Sequence, residues 1–276
     1  MIDNDDNLQV PVVVPAAGIG KRMASEIPKQ YLPLAGKTIL ECTVERLLSH
    51  PNISFVVLAL NPEDTYFATL ELAKHKNVIT VIGGKERCDS VLSGLAAVEK
   101  LSASRGTRKN ASTSTNASNS TSTHASNSTS NSTSNIVLVH DAARPCVTHD
   151  DISRLLEHYH TTHRGGILAS KVRDTMKRST GDNQISHSEP RENLWHALTP
   201  QLFKTDELII ALSKALDDNQ LVTDEASAME YCQYAADVIP GRADNIKVTQ
   251  PEDLQLAEFI LQQQQKQQHQ ESSECA

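Results

Sequence analysis

No apolar run in this chain approaches the length that crosses a bilayer, so a membrane-spanning helix is not expected. The first residues, Met1 to Asn7, are acidic and lack the basic and apolar regions of a secretory signal, which points to a cytoplasmic protein. Cysteine is scarce and unpatterned: Cys42, Cys88, Cys146, Cys232 and Cys275 are odd in number, and no pair has C-x-x-C spacing. That favours free thiols over a disulfide framework or a zinc site. Positive charge is short as well, with 26 Lys and Arg against 34 Asp and Glu and a formal net charge of -8. Such a balance argues against a broad nucleic-acid surface, while a focused site for a small anion stays compatible with it. What the chain does have is length, since 276 residues can bury a sizeable core.

Short β-branched runs alternate with segments of helical spacing. Val10 to Val14, Ile53 to Leu60, Val78 to Ile82, Ile136 to Val139 and Gly166 to Ser170 read as strands. Thr38-Ile39-Leu40-Glu41 reads as a capping box, followed by Leu40, Val44, Leu47 and Leu48 on one helical face. Asp89 is placed to cap a helix carrying Leu92, Leu95 and Val98, and Asp150 to cap Ile152 to Tyr159. Pro251 suits the first turn of a last helix ending near Gln262. The alternation predicts an α/β fold of βαβ units with a mostly parallel sheet, whose ligands bind beyond the carboxyl ends of the strands.

One segment breaks the pattern. From Asn110 to Asn135 every residue is Ser, Thr or Asn apart from Ala111, Ala117, His124 and Ala125. With no apolar face to offset the entropy of ordering, residues 107–135 are expected to form a disordered insertion in a surface loop. Its N-x-S/T sequons, at Asn110, Asn116, Asn119, Asn127 and Asn131, would need a secretory route to be glycosylated, so repeat expansion in a tolerant loop is the favoured reading. Deleting residues 110–134 should leave activity nearly intact. Loss of soluble, active protein on that deletion would contradict it. Residues 263–276, rich in Gln, are expected to be a flexible tail.

Chemistry concentrates in two places. After the Val10 to Val14 run comes P-A-A-G-I-G-K-R-M-A-S-E-I-P-K, from Pro15 to Lys29. Met23 occupies the place of the third glycine of a dinucleotide fingerprint, and the spacing of a P-loop is absent. Glycines still let a backbone approach a triphosphate closely, and the cations Lys21, Arg22 and Lys29 suit a phosphorus centre that gains negative charge. The second place is His140-Asp141-Ala142-Ala143-Arg144-Pro145, directly after the Ile136 to Val139 run. A carboxylate at a strand end can hold Mg²⁺ together with substrate phosphates, and an arginine nearby can fork onto a phosphate.

These strings, with G-G-K-E-R-C-D-S-V (Gly83 to Val91), together resemble the 2-C-methyl-D-erythritol 4-phosphate cytidylyltransferase family of the non-mevalonate isoprenoid pathway. The resemblance continues through V-R-D-T-M-K (Val172 to Lys177), L-W-H-A-L-T-P-Q (Leu194 to Gln201), T-D-E-A-S-A-M-E-Y (Thr223 to Tyr231) and G-R-A-D-N-I-K-V-T (Gly241 to Thr249). It implies a single nucleotidyltransferase domain over residues 1–276, with a Rossmann-like, mostly parallel sheet flanked by helices. A β-arm over residues 171–195 would protrude and make a homodimer. By the same resemblance, Arg22 and Lys29 would stabilise the CTP α-phosphate and the departing pyrophosphate. The backbone around Ala16, Ala17, Gly18 and Gly84, with Ser90, would read cytosine and ribose, and Arg87 would support that loop. Asp141 would help place Mg²⁺ and the attacking phosphate. Arg144, Thr223 and Lys247 would bind 2-C-methyl-D-erythritol 4-phosphate, and Thr175 and Arg191 would complete the neighbouring subunit's site. Lys85 stands where family members often carry an acidic residue, and the match around Arg191 is looser. Lys21 receives no role. The alternatives are a cytidylyltransferase for another polyol phosphate, such as ribitol 5-phosphate, or a non-catalytic nucleotide-binding module.

Overall fold

A computed structural model describes residues 8–18, 27–111 and 135–274. Five elements make the parallel heart of the sheet and the helices between them: β1 (Val10–Ala16), α1 (Ile39–Leu48), β4 (Ile53–Leu60), β5 (Val78–Ile82) and β6 (Ile136–Val139), with the short hairpin β2 (Pro33–Leu34) and β3 (Lys37–Thr38) leading into α1. The second half supplies α3 (His149–Thr162), β7 (Gly165–Lys171), β10 (Trp195–Lys204), α4 (Thr205–Asp217), α5 (Glu225–Tyr231), β11 (Ala236–Pro240) and α6 (Pro251–Glu274). Between β5 and β6 lies α2 (Arg87–Ala111), and between β7 and β10 the two short strands β8 (Met176–Ser179) and β9 (Ile185–Glu189).

Seven strands form one sheet in the order β11-β7-β10-β6-β1-β4-β5. All neighbours are parallel except β10, which runs antiparallel to β6 and β7. The central strand β1 is wholly apolar over Val12, Val13 and Val14, all at 0 % exposure, as a strand covered on both faces must be. Alternation then divides the core. Val12 and Val14 face a cluster with Leu40, Val44 and Leu47 of α1 and Ile152 and Leu155 of α3. Val13 faces Val91, Leu95 and Val98 of α2 and Leu208 and Leu212 of α4. On that side Gly94 lets α2 lie directly on β1, because a Cβ there would fall 2.4 Å from Val13 Cγ1.

The helix starts follow the capping rules, though not always with the expected residue. Thr38 and Glu41 form the expected capping box on α1. On α3 the cap is Thr148, reciprocated by Asp151, so Asp150 lies inside the first turn rather than at the boundary. On α2 the helix begins at Arg87, and Asp89 reaches back to accept the Glu86 N–H at 2.9 Å. On α3 the reciprocal Thr148/Asp151 box satisfies two end groups where Asp150 alone would satisfy one. The last helix runs beyond Gln262 to Glu274, and its Gln-rich part is tied down at the start. Gln264 is buried, donates to the Cys146 carbonyl at 2.9 Å and accepts from Arg46 at 3.3 Å. Of the segment expected as an insertion, residues 107–111 continue α2, while 112–134 lie outside the described residues.

The β8–β9 pair is a hairpin separate from the main sheet, and it exposes Met176 and Ile185. Among the described residues no helix is long and apolar enough to cross a membrane.

Candidate active site

Parallel pairing brings the carboxyl ends of β1 and β6 side by side, with Val13 opposite Val139 and the His140 N–H donating to the Val13 carbonyl at 3.0 Å. The two motifs, more than a hundred residues apart along the chain, therefore meet at one edge of the sheet. Between them lies a cavity of about 190 Å³, lined by Pro15 to Gly18, Lys29, Gln30, Gly84 to Arg87, Ser90, Asp141 to Ala143 and Lys247. Of the expected site residues, this gathers Ala16, Ala17, Gly18, Lys29, Gly84, Arg87, Ser90, Asp141 and Lys247. Lys85 lines it too. Arg22, like Lys21, lies outside the described residues.

Side chains the sequence did not single out hold the first turn. Gln30, buried, donates to the Ala16 carbonyl at 2.8 Å, and Asn61 donates to the Ala17 carbonyl at 3.3 Å. Lys29 donates to the Val248 carbonyl at 3.2 Å, which ties the first turn to the segment carrying Lys247. Tyr31 braces the same stretch through a 2.6 Å bond to Asp64 and a stacked contact with Tyr66. In the second loop the Ser90 hydroxyl accepts the Gly84 N–H at 3.1 Å and donates to the Glu86 carbonyl at 3.2 Å. Its proton is thus used in closing the loop. Gly84 is required there, since a Cβ would lie 2.1 Å from the Asp89 Cβ.

Asp141 is the centre of the charge arrangement. Its Oδ1 accepts from Arg87 Nε at 3.3 Å and Nη2 at 3.2 Å. Its Oδ2 meets Lys247 Nζ at 2.9 Å and Arg144 Nε at 3.4 Å. Burial pushes this carboxyl up, but Arg87, Lys247 and Arg144 outweigh it and hold the group well below the usual carboxylate range. Asp141 is therefore an anion at any physiological pH.

The three cations differ in how they are held. Arg87 is also forked onto Glu225, at 2.5 and 3.0 Å. Arg144 also donates to the carbonyls of Asn245 at 2.7 Å and Ala197 at 3.5 Å. Expected as a phosphate fork, Arg144 lies behind Asp141, buried and outside the cavity lining. Lys247 is the more exposed cation, and Asp141 is its ion-pair partner among the described residues.

Thr175, Arg191 and Thr223 do not line the cavity of this single chain. Thr175 and Arg191 are exposed at the base of the hairpin, where Arg191 donates to the Arg173 carbonyl. Thr223, also exposed, precedes α5 and donates its N–H to Ser227 Oγ at 3.1 Å.

Beneath the site His140 is fully buried and neutral. It bonds the Arg144 carbonyl through Nε2 at 3.0 Å and the Thr199 hydroxyl through Nδ1 at 3.0 Å, while Thr199 accepts the Asp141 N–H at 3.0 Å. Burial pushes its imidazole down to about 4, and His50 is displaced the same way. The unfolded chain, with an ordinary histidine near 6.5, binds the proton first, so folding stability is full above that pH and falls as pH drops towards 4. His140 alone should remove about 3 kcal/mol over that window. Urea midpoints at pH 7.5 and 4.5 measure it, and equal stability at both would refute the neutral buried histidine. Asp141 adds its own loss only below the ordinary carboxylate range, since its folded value is depressed.

A mostly parallel sheet flanked by helices, with cations gathered around one ionised carboxylate at the strand ends, suits a nucleotidyltransferase. The particular family is given by the sequence model of 2-C-methyl-D-erythritol 4-phosphate cytidylyltransferase, which matches residues 10–105 and 115–263, and the chain belongs to that family. It is 48% identical over 256 residues, 92% of this chain and 94% of the relative, to the enzyme of that name from Escherichia coli O127:H6. It is 49% identical over 255 residues, with the same coverage, to that of Salmonella typhimurium. Among solved structures, the Francisella tularensis enzyme superposes with a TM-score of 0.67 at 31% identity, covering 91% of this chain and 99% of that one. A 4-diphosphocytidyl-2C-methyl-D-erythritol synthase superposes with a TM-score of 0.70 at 30% identity, covering 92% and 100%. The chain is a cytidylyltransferase of isoprenoid precursor synthesis, and its substrates are CTP and 2-C-methyl-D-erythritol 4-phosphate.

Proposed function

We propose that the cavity around Asp141 is where the cytidylyl group of CTP passes to 2-C-methyl-D-erythritol 4-phosphate. The observation behind this is the meeting of Lys29, Arg87, Asp141 and Lys247 with Gly18 and Gly84 in one cavity. A phosphate oxygen of the polyol phosphate attacks the α-phosphorus of CTP, the bond to the bridging oxygen breaks, and pyrophosphate leaves with its electron pair. The products are 4-diphosphocytidyl-2-C-methyl-D-erythritol and pyrophosphate. The nucleophile is already an anion, so no general base is needed. The work is to bring two anions together and to stabilise added charge.

Backbone groups at Ala16, Ala17, Gly18 and Gly84 take the nucleotide, in turns shaped by Gln30, Asn61 and Ser90. Lys29, with Arg22 from the same stretch of sequence, stabilises the α-phosphate and the leaving group. Lys247, whose partner is a carboxylate already shared with two arginines, is the cation suited to exchange Asp141 for the incoming phosphate. Arg144 acts by holding Asp141. Thr223 binds the polyol phosphate by the family pattern.

Nucleotidyl transfer uses a divalent cation, and the donors here suit Mg²⁺. Asp141 offers a hard, ionised oxygen, the donor type that Mg²⁺ prefers. Asp141 would hold the ion with substrate phosphates completing its shell, and the ion would offset phosphate charge.

The working unit we assign is a homodimer in the cytoplasm. Support comes from a hairpin that exposes Met176 and Ile185 and carries Thr175 and Arg191 at its base, away from the chain's own cavity. Free thiols at Cys42, Cys88, Cys146 and Cys232 suit a reducing compartment. Pyrophosphate release from CTP, measured against 2-C-methyl-D-erythritol 4-phosphate and ribitol 5-phosphate with and without Mg²⁺, tests the reading. Release with the first substrate and metal only is expected. Preference for ribitol 5-phosphate would overturn it.

A further inference from the structure

Glu225 lies outside the cavity lining and is 0 % exposed, yet both its oxygens are committed to a residue of the site. Arg87 Nη1 meets Oε1 at 2.5 Å and Nη2 meets Oε2 at 3.0 Å. The same guanidinium gives Nε and Nη2 to Asp141 Oδ1. A planar fork held at one edge by a carboxylate leaves its other edge a single direction. That direction fixes the side from which Oδ1 of Asp141 is held, while Lys247 and Arg144 hold Oδ2.

Glu225 cannot itself drift. It is the first residue of α5, and Gln201 of β10 pins that helix end on both sides. Gln201 accepts the Ala226 N–H at 3.0 Å and donates to Asp224 Oδ2 at 2.8 Å. A buried carboxylate carries a desolvation cost of several kcal/mol, and an ion pair serving stability alone is replaceable by apolar residues of similar volume. This one spans two parts of the site. Arg87 opens α2 at the end of the nucleotide loop, while Glu225 follows Thr223 by two residues.

We propose that Glu225 is a positioning residue which, through Arg87, aims the Asp141 carboxylate and locks the nucleotide loop to the start of α5. The inference rests on the proposed role of Asp141 in the transfer. Charge and aim then separate experimentally. Removing a negative charge beside an anion site should by itself hold substrates as tightly or more tightly, whereas losing the aim slows the chemical step. Glu225→Gln, which keeps the shape, is expected to lower kcat about tenfold or more while KM for CTP stays equal or falls. Glu225→Asp, with the charge kept and the reach shortened, should fall between that variant and the wild type.

The test measures kcat and both KM values for the two variants. Beside them it measures CTP affinity by calorimetry without polyol phosphate, and hydrogen exchange of the Arg87 Nε–H by NMR. The expected exchange is about tenfold faster in Glu225→Gln. A folded Glu225→Gln with kcat within twofold of wild type would overturn the proposal, as would a loss residing wholly in raised KM. Should that variant not fold, Glu225→Asp carries the test, and full activity in it counts against the proposal. Wild-type protein that releases no pyrophosphate would refute the proposed function. The Arg87 exchange rate would still decide the positioning, with unchanged protection overturning it.

Discussion

Asp141→Asn is expected to lower kcat by about a hundredfold or more and to bring the thermal midpoint down by roughly 5–10 °C. The two losses share one cause. The Asp141 carboxylate is the common partner of Arg87, Arg144 and Lys247, and it is buried. An amide keeps the shape but removes the charge, leaving Arg144 and Lys247 against each other with no carboxylate between them. Breaking a buried pair by removing one partner costs about 3–5 kcal/mol, because the remaining charge is stranded. Catalysis suffers separately, since the oxygen proposed to place the metal and the attacking phosphate is gone. Calorimetry and steady-state kinetics on one preparation separate the terms. A variant with kcat within threefold of wild type would remove Asp141 from the chemistry while leaving its structural part.

Lys29→Ala should cost about a hundredfold in kcat with little change in the thermal midpoint. Lys29 stands at the cavity in a short 3₁₀ turn, Lys29–Tyr31, whose other two members are anchored independently. Gln30 holds the Ala16 carbonyl, and Tyr31 holds Asp64. The backbone therefore stays in place when the ammonium is removed. What is lost is the 3.2 Å bond to the Val248 carbonyl and, with it, a positive charge facing a phosphorus centre that becomes more negative as the transition state forms. The effect belongs in kcat more than in KM for CTP. An unchanged turnover number would show that the charge is supplied by other residues.

Much of the fold is legible from local pattern. Val78–Ile82 and Ile136–Val139 form as strands with the bounds their β-branched runs suggest, and the Thr38/Glu41 box starts α1. The differences lie at boundaries where two side chains compete. Thr148 displaces Asp150 as a cap, and Asp89 serves from inside α2. The extension of α6 was not legible because its Gln run has no apolar stripe, and what anchors it is Cys146 and Arg46 from elsewhere in the chain.

Local pattern in the sequence picked out residues that the fold gathers around one cavity at the strand ends: Ala16 to Gly18, Lys29, Gly84, Arg87, Asp141 and Lys247. Glycine-rich turns and charges after apolar runs are local signals, and their order along the chain also sufficed to suggest the family. What each charge is attached to emerges only with the folded chain. Folding set Arg144 against Asp141 and the carbonyls of Asn245 and Ala197, and it tied the Ser90 hydroxyl into its own loop. It also brought in Gln30, Asn61 and Glu225, whose roles depend on partners at separations of 14, 44 and 138 residues. A buried carboxylate and a solvated one look the same in a sequence. What distinguishes them is the surrounding protein, which removes water and fixes a single partner, and that environment exists only once the sheet has assembled.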